Sequence, residues 1–528
     1  MPDLVLLTPI LTGDPARPRA EAALVRDGRF LVVGTRAACE AAAAPGAARL
    51  DAGVAVPGLA DAHGHVALLG RWRRELRLSD ASDAEACAAR AAAQARTAPR
   101  GTWIRGSGWD QNRWPGGAFP SEAVLSRAVP DHPVALARVD GHALWVNAAA
   151  LAATGIDART PDPPGGRILR GAGGQPAGAL LDAAQDLVLA RIPPAGPAEL
   201  EAAIVLALAH LAGIGLTSVH DAGVTPEVLA VLRRLAAEDR LPLRVEAMLD
   251  GGVPLPELRE AMAEARAAPA MGRLAIRAVK LFADGALGSR GAALEEEYAD
   301  DPGNRGLLLL EPGELAARVR AIAAAGLQPA VHAIGDRAVS ATLDALEAAA
   351  RERDVPALRP RIEHLQLVLP RHLPRLVALG VVASVQPVHA ASDGPWLAAR
   401  LGEGTARLRG AFAWRTLAGA GIPLAFGSDF PVEDPDPRAG LAAVEARAAP
   451  GAAPFRPEEA LDRAAALAGF TAGAAHACFA EGRRGRVREG MDADLTFFAG
   501  DPTACSAEAL RALPVTGAMV AGRFVASG

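Results

Sequence analysis

Two histidines separated by one glycine, His63 and His65, end the apolar run VAVPGLADAHGHV from Val54 to Val66. Side chains alternate along an extended strand, so both imidazoles fall on one side and can reach a single ion. Three further apolar runs end in residues of the same chemistry: His332 in QPAVHAIGD, His364 in RPRIEHLQLV and Asp429 in IPLAFGSDFPV. Imidazole combined with carboxylate suits zinc, and also iron, manganese or nickel. Four histidines and one carboxylate exceed what a single open catalytic zinc requires, so a divalent metal centre of two zinc ions is expected.

Lys280, in AIRAVKLFADGALGSR, is the only lysine; Lys and Arg together number 55, so every other basic residue is arginine. Arginine serves wherever generic positive charge suffices, which makes the one lysine informative. A buried lysine can lose its proton, react or carry a carbamate, none of which arginine can do. A coding bias could also leave one lysine on a solvated face, but Lys280 lies inside an apolar strand-like run, Ile276 to Phe282. Two cations held close together need a bridging anion, and a Lys280 carboxylated by carbon dioxide would supply it.

These residues need a scaffold that brings distant strand ends together. Eight apolar segments have strand character: Val54 to His65, Gly215 to Gly223, Pro242 to Asp250, Ile276 to Gly285, Gln328 to Asp336, Arg359 to Val368, Gly380 to Ala390 and Ile422 to Val432. Alanine-rich helical segments such as Thr225 to Glu238, Glu314 to Ala325 and Ala338 to Arg351 separate several of them. This alternation predicts an α/β fold, a (β/α)8 TIM barrel, whose strand C-terminal ends converge on one face. An open doubly wound sheet would carry a glycine fingerprint after its first strand, and none is present.

The barrel is expected over residues 57–450, interrupted at about 70–197 by an insertion with its own short strands. Residues 1–56 contain short strands around a turn at Asp27 and Gly28, and 451–528 read as helices followed by strands. The two ends are therefore expected to share a small β-sandwich.

A net charge of −5 without any dense Lys/Arg run argues against nucleic-acid or anionic-membrane partners. Cys39, Cys87, Cys478 and Cys505 show no CxxC spacing, which suits a reducing cytoplasm. The apolar run Ala202 to Val219 is broken by His210, Gly213 and Gly215, so no membrane span is expected. A small-molecule amide remains as the expected partner.

The order HxH, Lys, His, His, Asp resembles the amidohydrolase superfamily. The stretches GLADAHGHV, GWDQNRWPGG, RVDGHALWVN, KLFADGALGSR, VHAIGDRAV, RIEHLQ and FGSDFPV resemble its amidohydrolase 3 branch, which contains N-substituted formamide deformylase-like proteins. The resemblance implies a sandwich built from both termini, hydrolysis of a carbon–nitrogen bond other than a peptide bond, and Asp429 as the proton-handling carboxylate. VLSRAVP, without the usual Leu-Asp pair, and Phe412, where tyrosine is common, depart from that pattern. Neither falls on an expected ligand.

On this reading a metal-activated hydroxide attacks an N-substituted formamide, N-acyl amine or cyclic amide while Asp429 moves the proton to the leaving amine. His142 and His389 are expected to meet the substrate, with Trp109 and Trp114 as an apolar wall; His220, at the end of the second strand, is expected behind the ligands. Asp284 and Arg290 are expected to shape the loop after Lys280. A deaminase or an ester or lactone hydrolase could use the same metals, and a non-catalytic barrel would be expected to have lost a ligand. Large barrels with composite second domains often pair, so a homodimer is expected.

Overall fold

The computed structural model describes residues 3–111, 114–138, 143–163, 166–171, 173–193 and 196–527. Eight parallel strands form its central sheet in chain order: β1 (Leu59–Gly64), β2 (Leu216–Val224), β3 (Arg244–Asp250), β4 (Leu274–Phe282), β5 (Gln328–Ala333), β6 (Arg361–His364), β7 (Val382–Val385) and β8 (Leu424–Phe426). The eight segments expected from the sequence supply these strands. Their residues are buried almost throughout, as a parallel sheet covered on both faces requires.

The helices between them turn one apolar stripe inward. Thr225 caps Pro226–Ala237 by accepting from the Val228 amide, and Val228, Leu229, Val231, Leu232 and Leu235 form the buried face. Asp336–Ala350 follows β5 and buries Val339, Leu343 and Leu346.

The last and first strands bring the ring close to closure. The Asp429 amide donates to the His63 carbonyl at 2.8 Å, and the His65 amide donates to the Phe430 carbonyl at 2.9 Å. Two glycines permit this seam. A Cβ on Gly427 would stand 2.5 Å from the His63 nitrogen, and one on Gly64 would stand 2.2 Å from the Phe430 ring. The result is a TIM barrel whose final hydrogen bonds are made by the residues singled out for chemistry.

Both termini supply the sandwich. Leu4–Leu6, Ala22–Arg26, Arg29–Gly34 and Ala48–Leu50 form one sheet; Ile10–Leu11, Arg19–Ala20, Val54–Pro57, Leu495–Phe498, Val515–Val520 and Arg523–Ser527 form the other. Leu6, Val25, Phe30 and Val33 of the first sheet pack on Ile10, Leu495, Phe497 and Met519 of the second. Ala474 and Ala477, the ends of the short helix Ala474–Ala477, pack on Ala60, Ala62, Val382 and Ala425 of the barrel.

Residues 67–207 form a compact unit of their own, with a six-stranded mixed sheet. The helix Pro197–Gly213 begins within this unit. Among the described residues no helix is long and apolar enough to cross a membrane.

The sandwich is tied to the barrel by a buried ion pair: Arg244, which begins β3, donates from Nε and Nη2 to Asp494 at 2.7 and 3.0 Å. Removing the carboxylate would leave a buried guanidinium short of charge. Asp494→Ala is therefore expected to lower unfolding stability by about 3 kcal/mol in urea titration; an unchanged midpoint would show that Asp492, 3.1 Å from the same arginine, compensates alone.

Candidate metal centre

At the C-terminal ends of the barrel strands the expected ligands come together. One ligand atom from each of His63, His364 and Asp429 lies within 4.8 Å of the others. His65 Nε2 stands 3.2 Å, and His63 Nε2 3.5 Å, from Asp429 Oδ1. Lys280 Nζ lies 3.3 Å from His63 Nε2. The His332 ring centroid is 4.4 Å from that of His364, which in turn is 4.9 Å from that of His63.

Each imidazole has one ring nitrogen next to an oxygen acceptor. His63 Nδ1 faces Glu363 Oε2 at 2.5 Å, His65 Nδ1 the Ala222 carbonyl at 2.8 Å, and His364 Nδ1 the Gln386 side-chain oxygen at 2.8 Å. His332 uses Nε2, 3.2 Å from the Gly285 carbonyl. A neutral imidazole that donates one N–H keeps one lone pair, so each acceptor selects the tautomer that leaves the other nitrogen free for a metal.

The electrostatics agree. Burial, with Lys280 beside them, pushes His63 down to about 4 and His332 to about 3, and burial next to His332 holds His364 well below the usual range. Each shift favours the neutral ring, the form in which imidazole binds a metal. Burial lowers the Lys280 amine to about 8. It alone would raise Asp429, but the surrounding imidazoles of His65, His364 and His63 hold its carboxyl well below the carboxylate range.

Asp429 Oδ1 is buried and accepts no hydrogen bond among the described residues. An ionised oxygen so enclosed is costly unless a cation meets it. The donor set of neutral imidazoles and one carboxylate around that oxygen fits a divalent ion.

The backbone is strained at two of these positions. His364 has φ 72° and Asp429 φ 62°, both in the left-handed region that non-glycine residues rarely occupy. Such strain persists where the surrounding structure over-determines it, and functional sites are where it collects. At Asp429, Asp61 supplies part of that constraint: it accepts from the His63 amide at 3.1 Å and from the Ser428 hydroxyl at 2.6 Å, joining the segments that carry His63 and Asp429.

Other expected residues take varied positions. His389, in the first turn of the helix Pro387–Leu401, places Nε2 3.9 Å from Asp429 Oδ2, and that nitrogen is buried with no hydrogen-bond partner among the described residues. His142 lies outside the described residues. Trp109 and Trp114, expected as an apolar substrate wall, pack in the hydrophobic core of the inserted unit together with Trp145. Their indole N–H groups are used internally, donating to the Leu136 and Ala81 carbonyls at 2.7 and 3.0 Å. Asp284 shapes its loop by accepting from the Ala293, Ile334 and Gly335 amides, and Arg290 pairs with Asp300.

Glu363, Gln386 and Asp61, which orient the ligands, were not singled out from the sequence. A signal was present: Arg361 and Glu363 are charged residues two apart in a short buried strand, where only inward-facing, paired groups are tolerated.

The tight packing of the seam makes a specific demand. Gly427→Ala, whose methyl would meet the His63 nitrogen at 2.5 Å and Asp61 Oδ1 at 2.7 Å, is expected to displace the first and last ligand segments together. Metal binding should weaken about tenfold or more in a chelator-competition titration; unaltered binding would show that the seam does not position the site.

Similarity to known proteins agrees with this geometry. Residues 50–526 match the amidohydrolase family. The chain is 33% identical over 489 residues to the protein YtcJ of Bacillus subtilis (strain 168), covering 90% of this chain and 89% of that one. It is 28% identical to the N-substituted formamide deformylase of Arthrobacter pascens, covering 99% and 98% of the two chains. An uncharacterised metal-dependent hydrolase from Pyrococcus horikoshii OT3 superposes with a TM-score of 0.81 at 27% identity, over 96% of this chain and 99% of that one. Together with the strand order and the cluster at the barrel mouth, the match establishes that the chain belongs to the amidohydrolase family.

Proposed function

We propose that this hydrolase cleaves a carbon–nitrogen bond other than a peptide bond in a small N-substituted formamide, N-acyl amine or cyclic amide. The observation that carries the reading is the unpartnered Asp429 oxygen amid imidazole nitrogens. The similarity to a formamide deformylase over nearly the whole chain supports the choice of bond.

His63, His65, His332, His364 and Asp429 would hold two divalent ions, zinc in the first instance. Bound metal supplies Lewis-acid polarisation of a carbonyl and makes water acidic near neutral pH. Lys280, fully buried with its amine lowered to about 8, has a substantial neutral fraction at physiological pH. That amine can add carbon dioxide and release a proton, and the resulting carbamate would offer the ions an anionic oxygen donor that a plain lysine lacks.

Asp429 does the proton work. Its carboxyl is held ionised, so it accepts the proton of the attacking water and delivers it to the amine that leaves. His389, whose Nε2 lies 3.9 Å from Asp429 Oδ2 and has no hydrogen-bond partner among the described residues, would donate to the substrate oxygen. Neutral amides need the proton that Asp429 delivers, because an amine leaves only once protonated.

Purified protein is expected to release amine from some members of a panel of N-formyl and N-acyl amines, to lose that activity on chelation and to regain it with zinc. Asp429→Asn should lower kcat by about 10³-fold with little change in fold. Native mass spectrometry should find the chain heavier by one carbon dioxide, an increment that Lys280→Arg removes. Turnover that survives complete chelation, or a metal-loaded chain with plain lysine, would contradict the respective parts of the reading.

A further inference from the structure

Beneath the ligands, the barrel interior holds a polar chain that the proposed chemistry does not use. His220 on β2 is almost fully buried, and its Nδ1 lies 2.8 Å from Arg361 Nη1. A guanidinium offers only donors, so Nδ1 accepts and the ring proton resides on Nε2. That nitrogen has no partner among the described residues, and neither has Ser218 Oγ. Both residues line a cavity of about 10 Å³, bordered also by Thr217, Thr471, Cys478 and Asp494. The space suits one water with polar neighbours.

On its other side Arg361 commits the rest of its fork. Nε and Nη2 donate to the two oxygens of Glu363 at 2.7 and 3.1 Å, and Nη2 also reaches the Ala62 carbonyl at 2.6 Å and Ser384 Oγ at 2.9 Å. The paired contacts fix the plane of the Glu363 carboxylate, and Glu363 fixes the ring of His63. Four strands, β1, β2, β6 and β7, thus meet on one guanidinium. Its orientation has a single side-chain acceptor at Nη1, and that acceptor is His220.

We propose that His220 is a positioning residue for metal binding: anchored by one water in the cavity beside Ser218, it holds Arg361 so that Glu363 presents His63 to the ion. The proposal rests on the reading of His63 as a ligand. A plainly structural role, satisfying a buried arginine, would affect stability but not the geometry of His63, three contacts away.

The test is zinc titration of metal-stripped protein against a chromophoric chelator, with thermal unfolding of the same metal-stripped samples. His220→Phe, which removes both the acceptor and the N–H, is expected to weaken zinc binding about tenfold. His220→Gln, whose amide can accept from Arg361 and donate to the water, should restore most of the loss. Ser384→Ala, which takes one acceptor from the same guanidinium and adds no bulk, should move the affinity in the same direction by less, and carries the test if the phenylalanine variant does not fold. Unchanged zinc affinity in these variants with only a lower Tm would overturn the positioning role. If the wild-type chain itself takes up no zinc, the reading of His63 as a ligand fails, and this inference with it.

Discussion

The hydrogen bond from His63 Nδ1 to Glu363 is the interaction on which the rest of the site depends. Both groups are completely buried, and neither would be tolerated there alone. Burial would raise Glu363, but Arg361 and His63 hold it well below the carboxylate range, so it stays an ionised acceptor. An ionised Glu363 fixes the His63 tautomer, which turns Nε2 towards Lys280 and Asp429. Remove that acceptor and the ring is free to rotate, and its second nitrogen no longer has a defined direction.

The same logic extends around the mouth. Each imidazole is fixed from behind by an oxygen belonging to another strand or loop, so the ligand arrangement is a property of the closed ring of strands. Closure matters most at the seam, where the Asp429 amide donates to the His63 carbonyl and the Ser428 hydroxyl donates to Asp61. The left-handed backbone at His364 and Asp429 is maintained by these contacts, a cost of roughly 1 kcal/mol or more at each residue that a large, well-packed domain can absorb.

Much of this was legible in the chain. A parallel barrel places the ends of its strands on one face, so apolar runs ending in His63, His65, Lys280, His332, His364 and Asp429 imply convergence before any contact is known. The lone lysine marked itself through composition. The acceptors behind the ligands were less legible: His63 and Glu363 stand 300 residues apart, and only strand order and register bring them together. An aromatic pair such as Trp109 and Trp114 near a glycine-rich stretch reads alike whether it packs a core or lines a pocket; their contacts with Trp145 and with the carbonyls of Leu136 and Ala81 lie within the inserted unit. The Nη1 contact of Arg361 with His220 could not be read locally at all, since its meaning lies in the other ends of the fork.

The cluster of buried, mutually oriented side chains at the barrel mouth is suited to hold a divalent metal. Anomalous X-ray diffraction from crystals of the zinc-loaded protein, collected on both sides of the zinc edge, tests it most directly. The account predicts two strong peaks at the barrel mouth, ringed by His63, His65, His332, His364 and Asp429 with Lys280 between them. A single peak would remove the bridging role of Lys280, and zinc bound only elsewhere, or not at all, would contradict the claim outright.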